Sequence, residues 1–186
     1  MSELPPIRRE ILVAADPSTA FDVFTGQIAL WWPVAAHSVH GEGSTVAFRD
    51  GVIVEEAPGQ PAALWGTVTA WEPPSLLAFT WHPGGVPERA SAVTVSFVPS
   101  ADQTLVRLEH RGWEVYADPA AARDEYGHGW PAVLDGLAAH VRRVVEAEPD
   151  TTWVALLHRP GPGAPSGRAM FEHPGFAEHL AFLERM

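Results

Sequence analysis

Between Ser91 and Arg111 the chain alternates so regularly that a two-stranded antiparallel ribbon with one buried face is the structure it best fits. In the second arm Val106, Leu108 and His110 share one side, while Arg107, Glu109 and Arg111 share the other. The charged set is the solvent side, so His110 is expected to point inward. The period then changes. Trp130, Val133, Leu134, Leu137, Val141, Val144 and Val145 recur at helical spacing, and a helix is expected from about Asp118 to Ala147. A sheet with one apolar face and a helix with one apolar stripe bury those surfaces against each other, an α+β layer solution.

The rest of the chain extends the sheet. The stretch IRREILVAA reads as a first strand, and Asp16 before Pro17 reads as a helix cap followed by a proline at the first helical position. That helix carries Phe21, Val23 and Phe24 and should stop near Gly26. A short second helix is expected around IALWWP, then a polar loop, VAAHSVHGEGS. Asp50-Gly51 marks a hairpin turn, and AALWGTVTAWEPP and LLAFTWHP pair around Pro73-Pro74. The expected order is a strand, two short helices, about six antiparallel strands and one long helix.

Composition excludes several kinds of chemistry. There is no cysteine, hence no disulfide framework, thiolate nucleophile or sulfur-based zinc site. There is no lysine either, so neither a Schiff base nor a Walker-type phosphate contact is available. A formal net charge of −11, with no run of more than two arginines, argues against nucleic acid and anionic membrane surfaces as partners. No apolar run approaches the roughly 18 residues of a membrane span. The opening MSELPPIRRE lacks an apolar signal region, so the cytoplasm is the expected location.

Six segments, IRREILVAADPSTAFDVFT, WWP, WEPPSLLAFTW, SAVTVSFVP, LEHRGWE and GHGWPAVLDGL, fall in the order found in one known family. Over residues 7–146 the chain resembles the Hsp90-ATPase-activator-homologue branch of the START/Bet v 1-like (SRPBCC) superfamily. The resemblance implies a helix-grip fold, a curved antiparallel sheet wrapped around a long C-terminal helix, with a cavity between them. It implies a domain over residues 1–148 that binds or processes a hydrophobic small molecule. Residues 149–186 read as a strand, a Pro/Gly-rich loop and a helix, and 151–186 resemble the opening of YCII-like domains, which implies at most a homodimer contact. A chaperone role does not follow from kinship of fold.

Within that fold the ligand-binding candidates are Trp65, Phe79, Trp81, Phe97, His110, Trp113, His128 and Trp130. His110 and His128 are the candidates for acid–base catalysis, since a neutral imidazole can serve as a base near pH 7, with Glu114 and Glu125 as possible orienting carboxylates. The plainer alternative makes His110 a single hydrogen bond between sheet and helix and Trp130 a core residue. Of Trp31 and Trp32, one is expected at the cavity and one in the core. Gly127 and Gly129 flank His128, and each costs a helix roughly 1 kcal/mol relative to alanine. They are expected to let the helix pass close to the sheet and bend over the pocket.

His37 and His40, near Glu42, have loop spacing too weak to predict a metal, and none is expected. His158, His173 and His179 are expected to be solvent-exposed. HRPGPGAPSG is a proline-broken loop and not a phosphate cradle, so no cofactor is expected. The first reading is therefore a carrier of a hydrophobic or aromatic small molecule. The alternatives are an enzyme of cyclase, hydratase or hydrolase type in the same cavity, and an interaction or stress-response domain without a ligand.

Overall fold

A computed structural model describes residues 4–147 of the 186. The expected boundary near residue 148, the extension 149–186 and the tail histidines lie outside those residues. Strand β1 (Ile7–Val13) is followed by helices α1 (Pro17–Gly26) and α2 (Ile28–Trp31). Six further strands are β2 (Thr45–Arg49), β3 (Val52–Glu56), β4 (Ala63–Glu72), β5 (Leu76–Trp81), β6 (Ser91–Ser100) and β7 (Gln103–Arg111). Helix α3 (Pro119–Ala147) closes the described part. All neighbouring strands are antiparallel, in the order β1-β7-β6-β5-β4-β3-β2. This is the curved sheet with a long terminal helix that the resemblance implies.

Local chemistry accounts for the breaks between elements. The Asp16 carboxylate accepts from the backbone N–H groups of Ser18 and Thr19 at 2.9 and 3.1 Å, capping α1. Asp50 and Gly51 both have positive φ, 52° and 77°, the backbone that a two-residue hairpin loop requires. At Gly66, where β4 bulges, a Cβ would lie 1.8 Å from the Thr80 carbonyl oxygen, so only glycine permits β4 and β5 to pair there. The inner face of the sheet carries Leu77, Phe79, Trp81, Val93, Val95, Phe97, Val106 and Leu108, all buried.

Helix α3 contributes Trp130, Val133, Leu134, Leu137 and Val141 to the core. Val144 is only partly buried and Val145 is exposed, so the stripe ends earlier than its sequence period suggests. Pro131 sits inside the helix. Its missing N–H leaves the carbonyl of Gly127, four residues back, without a helical donor, and the Arg9 guanidinium takes that carbonyl at 2.9 Å. An arginine on β1 thus repairs the defect and ties the first turns of α3 to the sheet edge. Among the described residues no helix is long and apolar enough to cross a membrane.

The glycines of α3 divide differently from expectation. A Cβ at Gly127 would meet only ordinary contacts, Arg9 at 3.8 Å and Ile7 at 3.9 Å. At Gly129 it would come within 3.3 Å of the His37 ring. The tightest approach is at Gly136, where the Trp31 carbonyl oxygen would be 2.8 Å away. Gly136→Ala should therefore destabilise the fold by about 1–3 kcal/mol. Gly127→Ala should be neutral or stabilising by up to about 1 kcal/mol. Denaturant unfolding of both variants checks the contrast, and equal effects would contradict it.

Candidate functional site

A cavity of about 670 Å³ opens between α3, the loop after α2 and the ends of β4 and β5. That volume lies within the range of small-molecule sites. Trp32, Trp65, Trp81 and Trp130 line it together with Tyr116 and Tyr126, and His37, Val39, Glu125 and His128 are also among its lining residues. The four indoles touch one another, with centroid separations of 5.2 Å for Trp32–Trp65, 5.4 Å for Trp65–Trp81 and 5.7 Å for Trp81–Trp130. Their tilted and edge-on geometries are those aromatic pairs prefer.

Behind this wall lies His110, fully buried and outside the cavity lining. The Trp130 indole N–H donates to its Nδ1 at 3.1 Å. An indole nitrogen only donates, so Nδ1 is the acceptor and the proton of the neutral ring sits on Nε2. Nε2 then donates to Ser91 Oγ at 2.7 Å, and Ser91 donates to the Trp81 carbonyl oxygen at 3.1 Å. With the serine proton so committed, the Tyr116 hydroxyl, 3.0 Å away, donates to Ser91 Oγ. Trp113, Tyr126 and Trp130 enclose the imidazole at centroid distances of 4.3–5.8 Å. Burial in this apolar cage lowers its pKa from 6.5 to about 3. Both nitrogens are occupied, which leaves His110 the tether of the plainer reading.

A second buried polar group shapes the rim. Glu55, at an inward position of β3, is fully buried. Its carboxylate accepts from the backbone N–H of Val39 at 2.8 Å and of His40 at 2.9 Å, and from the Trp65 indole at 2.9 Å. Burial alone would raise its pKa, but the hydrogen bonds, with Ser44 contributing, outweigh it and hold the carboxyl below its usual value. The loop is also fixed by the Trp32 indole, which donates to the His37 carbonyl at 2.6 Å. One carboxylate therefore joins a cavity wall, Trp65, to the loop that forms the cavity rim.

The structure separates the candidates read from sequence. Trp65, Trp81, His128 and Trp130 line the cavity, whereas Phe79, Phe97, His110 and Trp113 do not. Phe97 packs between Phe21 and Phe24 of α1, Phe79 packs on Phe48, and Trp113 lies beside His110. Trp32 lines the cavity while Trp31 packs on Phe24. Glu114 is exposed and lines no part of the cavity; Glu125 is at its edge.

His37 and His40 do not share a site: His37 rests against Gly129, and His40 Nε2 lies 3.1 Å from the Pro61 carbonyl. Among the described residues no three His, Asp or Glu side chains converge on a point. Sequence reasoning missed Tyr126 and Glu55. Tyr126, Trp130 and Val133 share a helical face, and Glu55 shares the inward face with Ile53, so both signals were present.

Two outcomes follow. Between pH about 6.5 and about 3 the unfolded chain holds a proton on His110 that the folded protein does not, so stability falls as the pH drops through that window. The loss approaches about 1.4 kcal/mol per pH unit for this one proton. In His110→Asn the decline in unfolding free energy from pH 6.5 to 4.5 should be shallower, and parallel profiles would contradict the buried neutral imidazole. Glu55→Gln sets a donor against a donor and should cost about 1–3 kcal/mol. Hydrogen exchange at the Val39 and His40 amides should then accelerate, and unchanged protection would show that the carboxylate does not hold the loop.

Comparison with known proteins agrees with this geometry. The family model described as Activator of Hsp90 ATPase homolog 1-like protein matches residues 14–142. No match is found among curated protein sequences. Among solved structures, an anthrahydroquino-gamma-pyrone synthase, Txn09, is 31% identical with a TM-score of 0.53, covering 74% of this chain and 97% of that one. The Aha1 dimer from Colwellia psychrerythraea is 17% identical with a TM-score of 0.55, covering 74% and 96%. The self-sacrificing resistance protein CalC from Micromonospora echinospora is 23% identical with a TM-score of 0.52, covering 75% and 95%. The last two likenesses show the fold alone. With the sheet order, the terminal helix and a match over most of its length in agreement, the chain belongs to the family of Activator of Hsp90 ATPase homolog 1-like proteins.

Proposed function

We propose that the protein binds an apolar, ring-containing small molecule in the cavity beneath α3. The observation that carries this reading is the cavity itself, about 670 Å³ walled by four tryptophans and two tyrosines. A volume of this size is enough to take a drug-sized guest. Aromatic walls offer large apolar area at low side-chain entropy cost and suit a flat guest. The likeness to an anthrahydroquino-gamma-pyrone synthase supports a ring system as the occupant.

Acid–base catalysis in the same cavity is the second reading, and its support is narrower. His110 is consumed by structural hydrogen bonds, which leaves His128 as the base to consider. Its Nδ1 lies 2.7 Å from the Asp124 carbonyl, a hydrogen bond that fixes the ring and frees Nε2. An interaction role without a ligand fits less well, because it makes no use of the aromatic lining.

Native mass spectrometry of the purified protein, paired with tryptophan fluorescence against a panel of fused-ring compounds, tests the binding reading. A bound mass or saturable quenching is expected. Ala122→Trp places a bulky ring in the cavity lining and should weaken binding at least about tenfold while leaving the thermal midpoint within a few degrees. Absence of any bound mass and of saturable quenching, or quenching that survives Ala122→Trp undiminished, would overturn the proposal.

A further inference from the structure

The cavity walls are mainly apolar, and three of their four indole N–H groups are already committed, to the His37 carbonyl, to Glu55 and to His110. Each indole N–H can only donate, and the Tyr116 hydroxyl is engaged with Ser91. Acceptors not already committed are found in His128, His37 and Glu125 of the lining. The Asp124 carbonyl can only accept, so the 2.7 Å contact places the proton of neutral His128 on Nδ1. Nε2 is then a bare lone pair without a partner among the described residues. His37 sits against Gly129, one residue further along α3, and among the described residues neither of its ring nitrogens has a hydrogen-bond partner.

This combination of an aromatic body and imidazole acceptors selects a ligand by its chemistry. A carboxylate guest would face Glu125 and a chain of net charge −11. A small ammonium guest would need parted ring faces around it, but the indoles pack edge-on and tilted against one another as a continuous wall. A neutral ring bearing a weakly acidic hydroxyl satisfies both surfaces.

We propose that the ligand is a phenol or enol of a planar ring system and that His128 Nε2 accepts the hydrogen bond of its hydroxyl, with His37 as the neighbouring acceptor. This inference rests on the binding reading above and names the ligand class for that site. His128 is exposed and its substitution removes no buried contact.

The test compares 7-hydroxycoumarin with 7-methoxycoumarin, which share a ring and differ in whether the oxygen can donate. Titration of the full-length protein should show the hydroxyl compound binding about tenfold more tightly than the ether, the worth of one good hydrogen bond. In His128→Leu that ratio should fall toward one while the affinity for the ether changes less than about twofold. His128→Gln, whose amide oxygen can still accept, should restore part of the preference. Equal binding of the two compounds by the unmodified protein, or a ratio that survives His128→Leu, would overturn the inference while leaving the cavity reading intact. Binding of neither compound would overturn this inference, whereas the cavity reading is decided by the wider panel of fused-ring compounds.

Discussion

The buried chain of hydrogen bonds from Trp130 through His110 and Ser91 to the Trp81 carbonyl is the interaction around which the rest of this fold is arranged. It joins α3 to β7, β7 to β6 and β6 to β5. Every proton in it is determined, because an indole can only donate and a carbonyl can only accept. Satisfied polar networks in an apolar interior favour one arrangement strongly, since any alternative leaves a buried group unpaired. The register of α3 over the sheet is therefore fixed at one point by direction, where apolar packing alone would tolerate sliding. Fixing it there leaves the neighbouring volume free to remain open.

Two other polar contacts repeat this strategy at the cavity margins. Arg9 answers the carbonyl that Pro131 releases, so the helix is pinned to β1 where its own hydrogen bonding fails. Glu55 gathers the Val39 and His40 amides and the Trp65 indole onto one carboxylate. Removing one partner from such a set costs more than the set contributes net, so the loss of either side chain should loosen the wall it holds. Helix, sheet edge and rim loop are each held by a directional bond. The four indoles then need only pack.

Much of this architecture was legible in the residues. Alternation in Ser91–Arg111 gives the inward direction of His110, and Asp50-Gly51 gives the hairpin turn. What alternation cannot give is depth. Phe79 and Trp81 share one face of β5, yet Trp81 lines the cavity while Phe79 packs on Phe48. Which end of a strand meets a cavity depends on where the helices lie across it, a long-range property that no local pattern encodes. The glycines show a similar limit. Those beside His128 drew attention because they interrupt a helix start, while Gly136, in the middle of a regular stripe, makes the closest approach. Glu55 escaped notice because an acidic pair after a hairpin ordinarily lies in solvent, and here one member of the pair faces in.

The ring nitrogens of His110 offer the most direct examination of this picture. Long-range ¹⁵N–¹H correlation on uniformly labelled protein distinguishes a protonated from a bare imidazole nitrogen, and the pattern can be followed as the pH is lowered. The hydrogen-bond chain requires a neutral ring with the proton on Nε2, retained down to about pH 4 because burial has moved the pKa to about 3. A ring that carries its proton on Nδ1, or that titrates near pH 6.5, would mean that Trp130 does not donate to it and that α3 is held over the cavity by something else.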